Sequence, residues 1–361
     1  FPVSGTNRLW VIAGAAPTYY WDGSVWSSVQ QNLVALGASL PNATSAITAM
    51  LDNGSGTLTQ YIIWALTTVW VYSTTGAAAS FTSNTKTVSY MAYWDRRLWG
   101  IGPTGQLWWS RMVTDAGNND ANLGLDGTSD IVRGLFVGPH PSLAGETALY
   151  VSSSTGLYVH DAENAGFREI FRLPAPGTGT GFQSISWRGD VYMNDGLNIF
   201  RYIPGQTAVL TVMGPDRNDG LPTNLATRSS TVAGFITQLI STNNWLLALV
   251  RGTQSSILAW DGIGWQALWV EAETSTDGYI QGVAGSIDGV YKLCWDYNGD
   301  MYSMVLPTSL TNPRQVTINN RSAGGGANNG PGVHETPWFD AGEPAVDKVA
   351  RAFLIQPEAL S

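Results

Sequence analysis

Short apolar runs, rather than long amphipathic stretches, set the rhythm of this chain. "SAITAML" from Ser45, "VSYMAYW" from Val88, "IVRGLFV" from Ile131, "FQSISW" from Phe182, "GFITQLI" from Gly234 and "YIQGVAG" from Tyr279 each read as a strand. Most of the six are rich in β-branched and aromatic residues. Their starts lie 43, 43, 51, 52 and 45 residues apart. Propeller blades recur at roughly 40 to 50 residues, so the spacing predicts a repeat of that kind. Each run is followed by a second strand ("YIIWAL", "RLWGIG", "TALYVSS", "DVYMND", "NWLLALV", "GVYKLCW") and a third ("VWVYS", "QLWWS", "GLYVHD", "NIFRYI", "SILAW", "DMYSMVL"). A fourth is visible in "FREIF", "AVLTVMG" and "WQALWVE". Four-stranded sheets repeated radially make a propeller. Both faces of most blades then pack on neighbours, which weakens polar–apolar alternation. Adjacent Trp108 and Trp109 are therefore both expected to be buried, although they point to opposite faces.

One copy is incomplete. "NRLWVIAG" at 7–14 repeats "RRLWGIG" at 96–102, but only Phe1–Val3 stand where the later copy has its innermost strand. The fold class predicted is all-β: a seven-bladed β-propeller of four-stranded antiparallel blades over residues 1–320, the first blade lacking most of its innermost strand. Residues 321–335 read as a Gly/Asn-rich linker. Residues 336–361 read as the start of a second β domain or a ring-closing segment. The truncated first strand leads us to expect a longer polypeptide. Residues 27–40 carry Val29, Leu33, Leu36 and Leu40 at helical spacing, but Gly37 and Pro41 favour an irregular connection.

Composition narrows the function classes. Hydrophobic residues make up 44% and charged residues 12% of 361, with 41 Gly and 16 Trp. That mixture suits many short strands and tight turns. The net charge is −9 and no basic run exists, which argues against nucleic-acid binding through phosphate contacts. No apolar run is long enough for a membrane-spanning helix. Cys294 is the one cysteine and reads as a buried strand thiol.

The clearest turn signals are "YYWDGSVW" (19–26) and "LAWDGIGW" (258–265), where Asp-Gly joins two aromatic strands. Trp21 and Trp26, and Trp260 and Trp265, are expected to meet across these hairpins. Asp52, Asp95, Asp190 and Asp288 fall between the first and second strands of their blades, hence on one face of the disc around its axis. Carboxylates there either serve as turn residues, bind a cation, or form an acid–base pair for glycoside hydrolysis. "DAGNNDANLGLDGTSD" (115–130) carries Asp115, Asp120, Asp126 and Asp130. It reads as a solvated surface loop; its composition, though not its spacing, is that of a calcium loop. No other cofactor is indicated.

Enzyme signatures are scarce. His140, His160 and His334 lie in different units without metal-ligand spacing. The nucleophile elbow, P-loop, zinc-protease and dinucleotide motifs are absent, as is the sialidase Asp-box. After the ring, "TPWFDAGEPAVDKVARAFLI" (336–355) resembles a segment that follows the propeller in virion proteins of tailed bacteriophages, including tail, nozzle and baseplate components. The match rests on Thr336 to Pro344, Lys348, Arg351 and Phe353. The resemblance implies a structural or host-attachment role in the virion, other virion proteins as partners in a symmetric assembly, and no catalytic residue. The alternatives are a secreted or cell-surface propeller that binds glycans like a lectin, and a polysaccharide hydrolase or lyase. Fold alone does not decide among them. The long segments 113–130 and 214–232 are the expected contact loops, because function concentrates on loops held by a rigid scaffold.

Overall fold

The computed structural model describes residues 2–3, 6–11, 19–21, 26–28, 45–65, 69–73, 79–80, 86–113, 117–161, 166–173, 181, 183–206, 210–214, 235–251, 255–262, 264–270, 280–287, 289–297, 300–306 and 318–320. These residues contain no helix. β1 (Pro2–Val3) and β2 (Thr6–Asn7) form a minimal hairpin. β3 (Leu9–Val11), β4 (Tyr19–Trp21) and β5 (Trp26–Ser28) form the three-stranded sheet I.

Six four-stranded antiparallel sheets follow, each in sequential order. Sheet II is β6 (Ser45–Asp52), β7 (Leu58–Ala65), β8 (Val69–Ser73) and β9 (Ala79–Ser80). Sheet III is β10 (Tyr90–Trp94), β11 (Arg97–Ile101), β12 (Gln106–Ser110) and β13 (Asn118–Asn122). Sheet IV is β14 (Val132–Pro139), β15 (Thr147–Ser153), β16 (Gly156–Asp161) and β17 (Gly166–Arg172). Sheet V is β18 (Ile185–Trp187), β19 (Asp190–Asn194), β20 (Ile199–Tyr202) and β21 (Leu210–Gly214). Sheet VI is β22 (Phe235–Ser241), β23 (Leu246–Arg251), β24 (Ser256–Trp260) and β25 (Trp265–Val270). Sheet VII is β26 (Ile280–Ile287), β27 (Val290–Tyr297), β28 (Asp300–Val305) and β29 (Ile318–Asn320).

The first strands of sheets II to VII pack in succession: β6 on β10, β10 on β14, β14 on β18, β18 on β22 and β22 on β26. β2 in turn lies against β26. The architecture is all-β and propeller-like. Its core is cut into slabs, one between each successive pair of sheets from II to VII. "LLALV" in β23 shows why the sequence pattern is continuous rather than alternating. Leu246, Ala248 and Val250 face sheet V, while Leu247 and Leu249 face sheet VII. Every side chain is buried because both faces are covered.

Tryptophan stitches these slabs together. Trp94 Nε1 in sheet III donates to Thr147 Oγ1 in sheet IV at 2.9 Å. Trp187 Nε1 in sheet V donates to the Thr242 carbonyl in sheet VI at 2.8 Å, and Trp265 Nε1 returns a bond to the Met213 carbonyl of sheet V at 2.7 Å. A ring that fills an apolar slab and satisfies its one donor on the next sheet's backbone suits this use.

Two expectations need correction. Residues 115–130 are not one insertion: Asn118–Asn122 is β13, the outer strand of sheet III. Its composition is poor for a strand, but an edge needs backbone pairing on one side and benefits from polar side chains on the other. Trp108 is fully buried towards sheet II, whereas Trp109 on the opposite face is only half-buried near the rim. The Trp21–Trp26 and Trp260–Trp265 pairs are in register, the latter rings 5.5 Å apart. In the second hairpin Gly262 takes φ 108°, and Asp261 Oδ1 accepts the Gly264 N–H at 2.9 Å. Val29, Leu33, Leu36, Leu40, residues 215–232 and residues 321–361 lie outside the described residues.

Candidate functional site

The described acids assigned to one disc face, Asp52, Asp95 and Asp190, all lie near the first turn of their sheets but differ in position and role. Asp288 lies outside the described residues. Asp52 closes β6; its Oδ1 accepts N–H bonds from Gly54 at 2.7 Å and Gly56 at 2.9 Å. Its own N–H donates to the Arg111 carbonyl at 3.1 Å, fastening sheet II to sheet III. Asp95 and Arg96 are the two turn residues of the β10–β11 hairpin, with φ 49° and 55°. Both angles lie in the left-handed region that a type I′ turn requires. Asp190 is not a turn residue. The turn there is Arg188–Gly189, and Asp190 begins β19 opposite Trp187.

Asp190 is held by Arg201 on the neighbouring strand, with Nη2 at 2.5 Å and Nε at 2.6 Å from Oδ2. The carboxylate is nearly buried and accepts two donors from one guanidinium, so it anchors the hairpin. Asp190→Ala leaves Arg201 partly enclosed without its partner. We expect a loss of about 1–2 kcal/mol, within the range for a broken charged hydrogen bond. Urea unfolding measures it, and a change below a few tenths would contradict the assignment.

Among the loop acids, Asp115 lies outside the described residues. Asp126 turns inward on its own backbone. Its Oδ1 accepts N–H bonds from Thr128 and Ser129 at 2.8 Å and from Asp130 at 2.9 Å, and Ser129 Oγ donates to Oδ2. These donors, the Asp130 amide first, hold its pKa well below the ordinary carboxylate value. Asp130 clamps the next sheet: Ser154 Oγ donates to Oδ1 at 3.0 Å and Thr155 Oγ1 to Oδ2 at 2.7 Å. Asp120, on β13, faces His160 of sheet IV. Among the described residues no group of three or more His, Cys, Asp or Glu side chains converges as a metal site.

Chemically distinctive residues do gather at the seam between sheets III and IV. The register of β11 and β12 pairs Trp99 with Trp109, their rings 6.4 Å apart. Arg97 stacks 4.4 Å from the Trp109 centroid, and Arg111 lies 5.5 Å from it. Trp99 also touches His160 at 5.3 Å, and Phe167 meets the same imidazole edge-on at 5.9 Å. His160 Nε2 lies 3.0 Å from Asp120 Oδ2, yet neither ring nitrogen makes a well-aligned hydrogen bond. Sequence reasoning missed this pairing. Asp120 and His160 are 40 residues apart, nearly one repeat, and no local spacing relates outer strand β13 to β16.

Burial strips water from the His160 imidazole and pulls its pKa below the ordinary 6.5, while the Asp120 carboxylate opposes the shift. The sign of the consequence is fixed. Below about pH 6.5 the unfolded chain takes up this proton before the folded chain does, so stability falls with pH. Urea midpoints should therefore drop on acidification below that point. The slope should flatten in His160→Gln; an unchanged slope would rule out His160 as its source.

No protein-family model matches the chain, and no curated protein matches its sequence. Solved structures do resemble it. The extracellular domain of a putative one component system, BT4673 from B. thetaiotaomicron, superposes with a TM-score of 0.56 at 14% identity over 86% of this chain. A structure of that domain described as part of a hybrid two component system gives 0.54 at 12% over 84%. The chain spans 40% and 38% of those two chains. YCF48 bound to D1 peptide gives 0.54 at 11% identity, over 85% of this chain and 90% of that one. None of these is a phage protein. At such identities the likeness speaks for the fold: this is a β-propeller-like protein.

Proposed function

We propose that the chain forms a seven-bladed propeller that serves as a non-enzymatic structural or host-attachment module of a phage tail or related surface assembly. The observation that carries this reading is the segment from Thr336 to Phe353, which resembles the one following the ring in phage virion propellers. Packing of β2 on β26 supports a closed ring in which sheet I is the seventh blade. The non-enzymatic part is supported by how the described acids are used. Asp52 and Asp126 cap turns, Asp130 clamps sheet IV, and Asp190 holds Arg201. YCF48, a neighbour in fold, is seen with a bound peptide; gripping polypeptide is the use we assign to this ring.

Mass spectrometry of purified particles, together with the neighbouring genes, tests the proposal. Stoichiometric presence in the particle beside capsid or tail genes is the expected result. Absence from particles, or polysaccharide turnover abolished by Asp95→Asn, would overturn it.

A further inference from the structure

From the rim of the sheet III–IV seam we infer a docking surface for a carboxylate-rich polypeptide, centred on Arg97, Trp109 and Arg111. The inference does not depend on the virion reading. Between Val88 and Arg111 the chain carries three arginines and one acid, a local balance of 3 − 1 = +2 in a protein of net −9. The antiparallel register, with Leu98 opposite Ser110, brings Arg97 and Arg111 to facing positions. Like charges facing across a strand pair are unfavourable. Here both guanidiniums lean on one indole, Trp109, whose negative π-face moderates the repulsion without cancelling it.

Nothing within the described chain neutralises the pair. Asp95 Oδ2 is 3.6 Å from Arg97 Nη2, but its side chain is 63% exposed, and a pair of that kind contributes little. Among the described residues no carboxylate pairs with Arg111 or Arg96, and both are exposed. Asp52, nearest along the backbone, turns its carboxylate to Gly54 and Gly56 instead. Arg and Trp are residue types enriched at protein interfaces, and a planar guanidinium takes a carboxylate on two donors.

The arrangement favours a peptide over an acidic sugar. Sugar recognition stacks the ring on an open aromatic face, and here Arg97 already covers Trp109. Glutamate or aspartate side chains need only the guanidinium edges.

Biolayer interferometry on the whole chain with immobilised poly-L-glutamate tests the inference. Wild type should bind at about 0.05 M salt and weaken steeply by about 0.3 M, as screening predicts. Arg111→Gln, an exposed change, should weaken binding several-fold. Arg97→Gln/Arg111→Gln, checked for an unchanged circular dichroism spectrum, should weaken it about tenfold or more, roughly 1.4 kcal/mol. Arg172→Gln removes an exposed guanidinium of sheet IV and should change binding less than twofold. No binding by wild type, equal loss in Arg172→Gln, no loss in Arg111→Gln, or tighter arginine-dependent binding to polygalacturonate would each overturn it.

Discussion

Gly100→Ala should cost about 3 kcal/mol or more, although it adds one methyl group. Gly100 sits on β11 directly opposite Trp108 on β12, and the indole lies across the space where a side chain would be. A Cβ at position 100 would come within 2.2 Å of Trp108 Cζ2 and 2.4 Å of Cε2. The backbone at Gly100 would accept alanine; the space would not. Trp108 cannot retreat, because Ala49, Leu51, Tyr61, Ile63 and Met91 enclose it in the slab between sheets II and III. Over-packing a close-packed interior costs about 1–3 kcal/mol and more where nothing yields. The measurement is the urea midpoint of the purified variant. Combining Gly100→Ala with Trp108→Leu should restore part of the loss, since the two changes share one volume and do not add. A stable Gly100→Ala protein would mean that the indole does not occupy that space.

The same pair shows what the sequence could and could not disclose. "RLWGIG" reads as a strand from its aromatic and branched residues, and it is one. That its glycine exists to admit an indole from the next strand appears only with the register. Strands with two covered faces announced themselves through continuous apolar runs such as "LLALV" and "TALYV". Outer strands did not: β9 has only Ala79 and Ser80, and β13 is Asn118–Asn122. Their pairing comes from backbone groups, which every sequence has. The site was less legible than the fold. Asp190 reads like the other inter-strand acids, and only the β19–β20 register sets it beside Arg201. The arginines at 97 and 111 look like scattered surface charge until β11 and β12 pair.

Trp99→Ala should cost about 3–5 kcal/mol, and Trp109→Ala clearly less, about 1–2 kcal/mol. The two residues face each other across β11 and β12, so register level, sheet face and chemistry are held constant. What differs is depth. Trp99 is 2% exposed, packed with Ala92, Leu149, Val151 and Tyr158. Its Nε1 donates to the Trp94 carbonyl at 3.1 Å, and its ring meets Trp94, Trp109 and His160. Removing it opens a cavity at the seam that neither sheet can close, because each is tied to a further neighbour. Trp109 is half-buried, and solvent can fill much of what it vacates. Its loss instead frees Arg97 and Arg111 from their shared ring and leaves two facing cations with nothing between them. That difference has a second readout. Raising salt should recover stability in Trp109→Ala by screening the arginines, and should do so much less in Trp99→Ala, where the deficit is apolar. Equal losses with equal salt response would place the two indoles in the same environment and contradict the depth assigned to each.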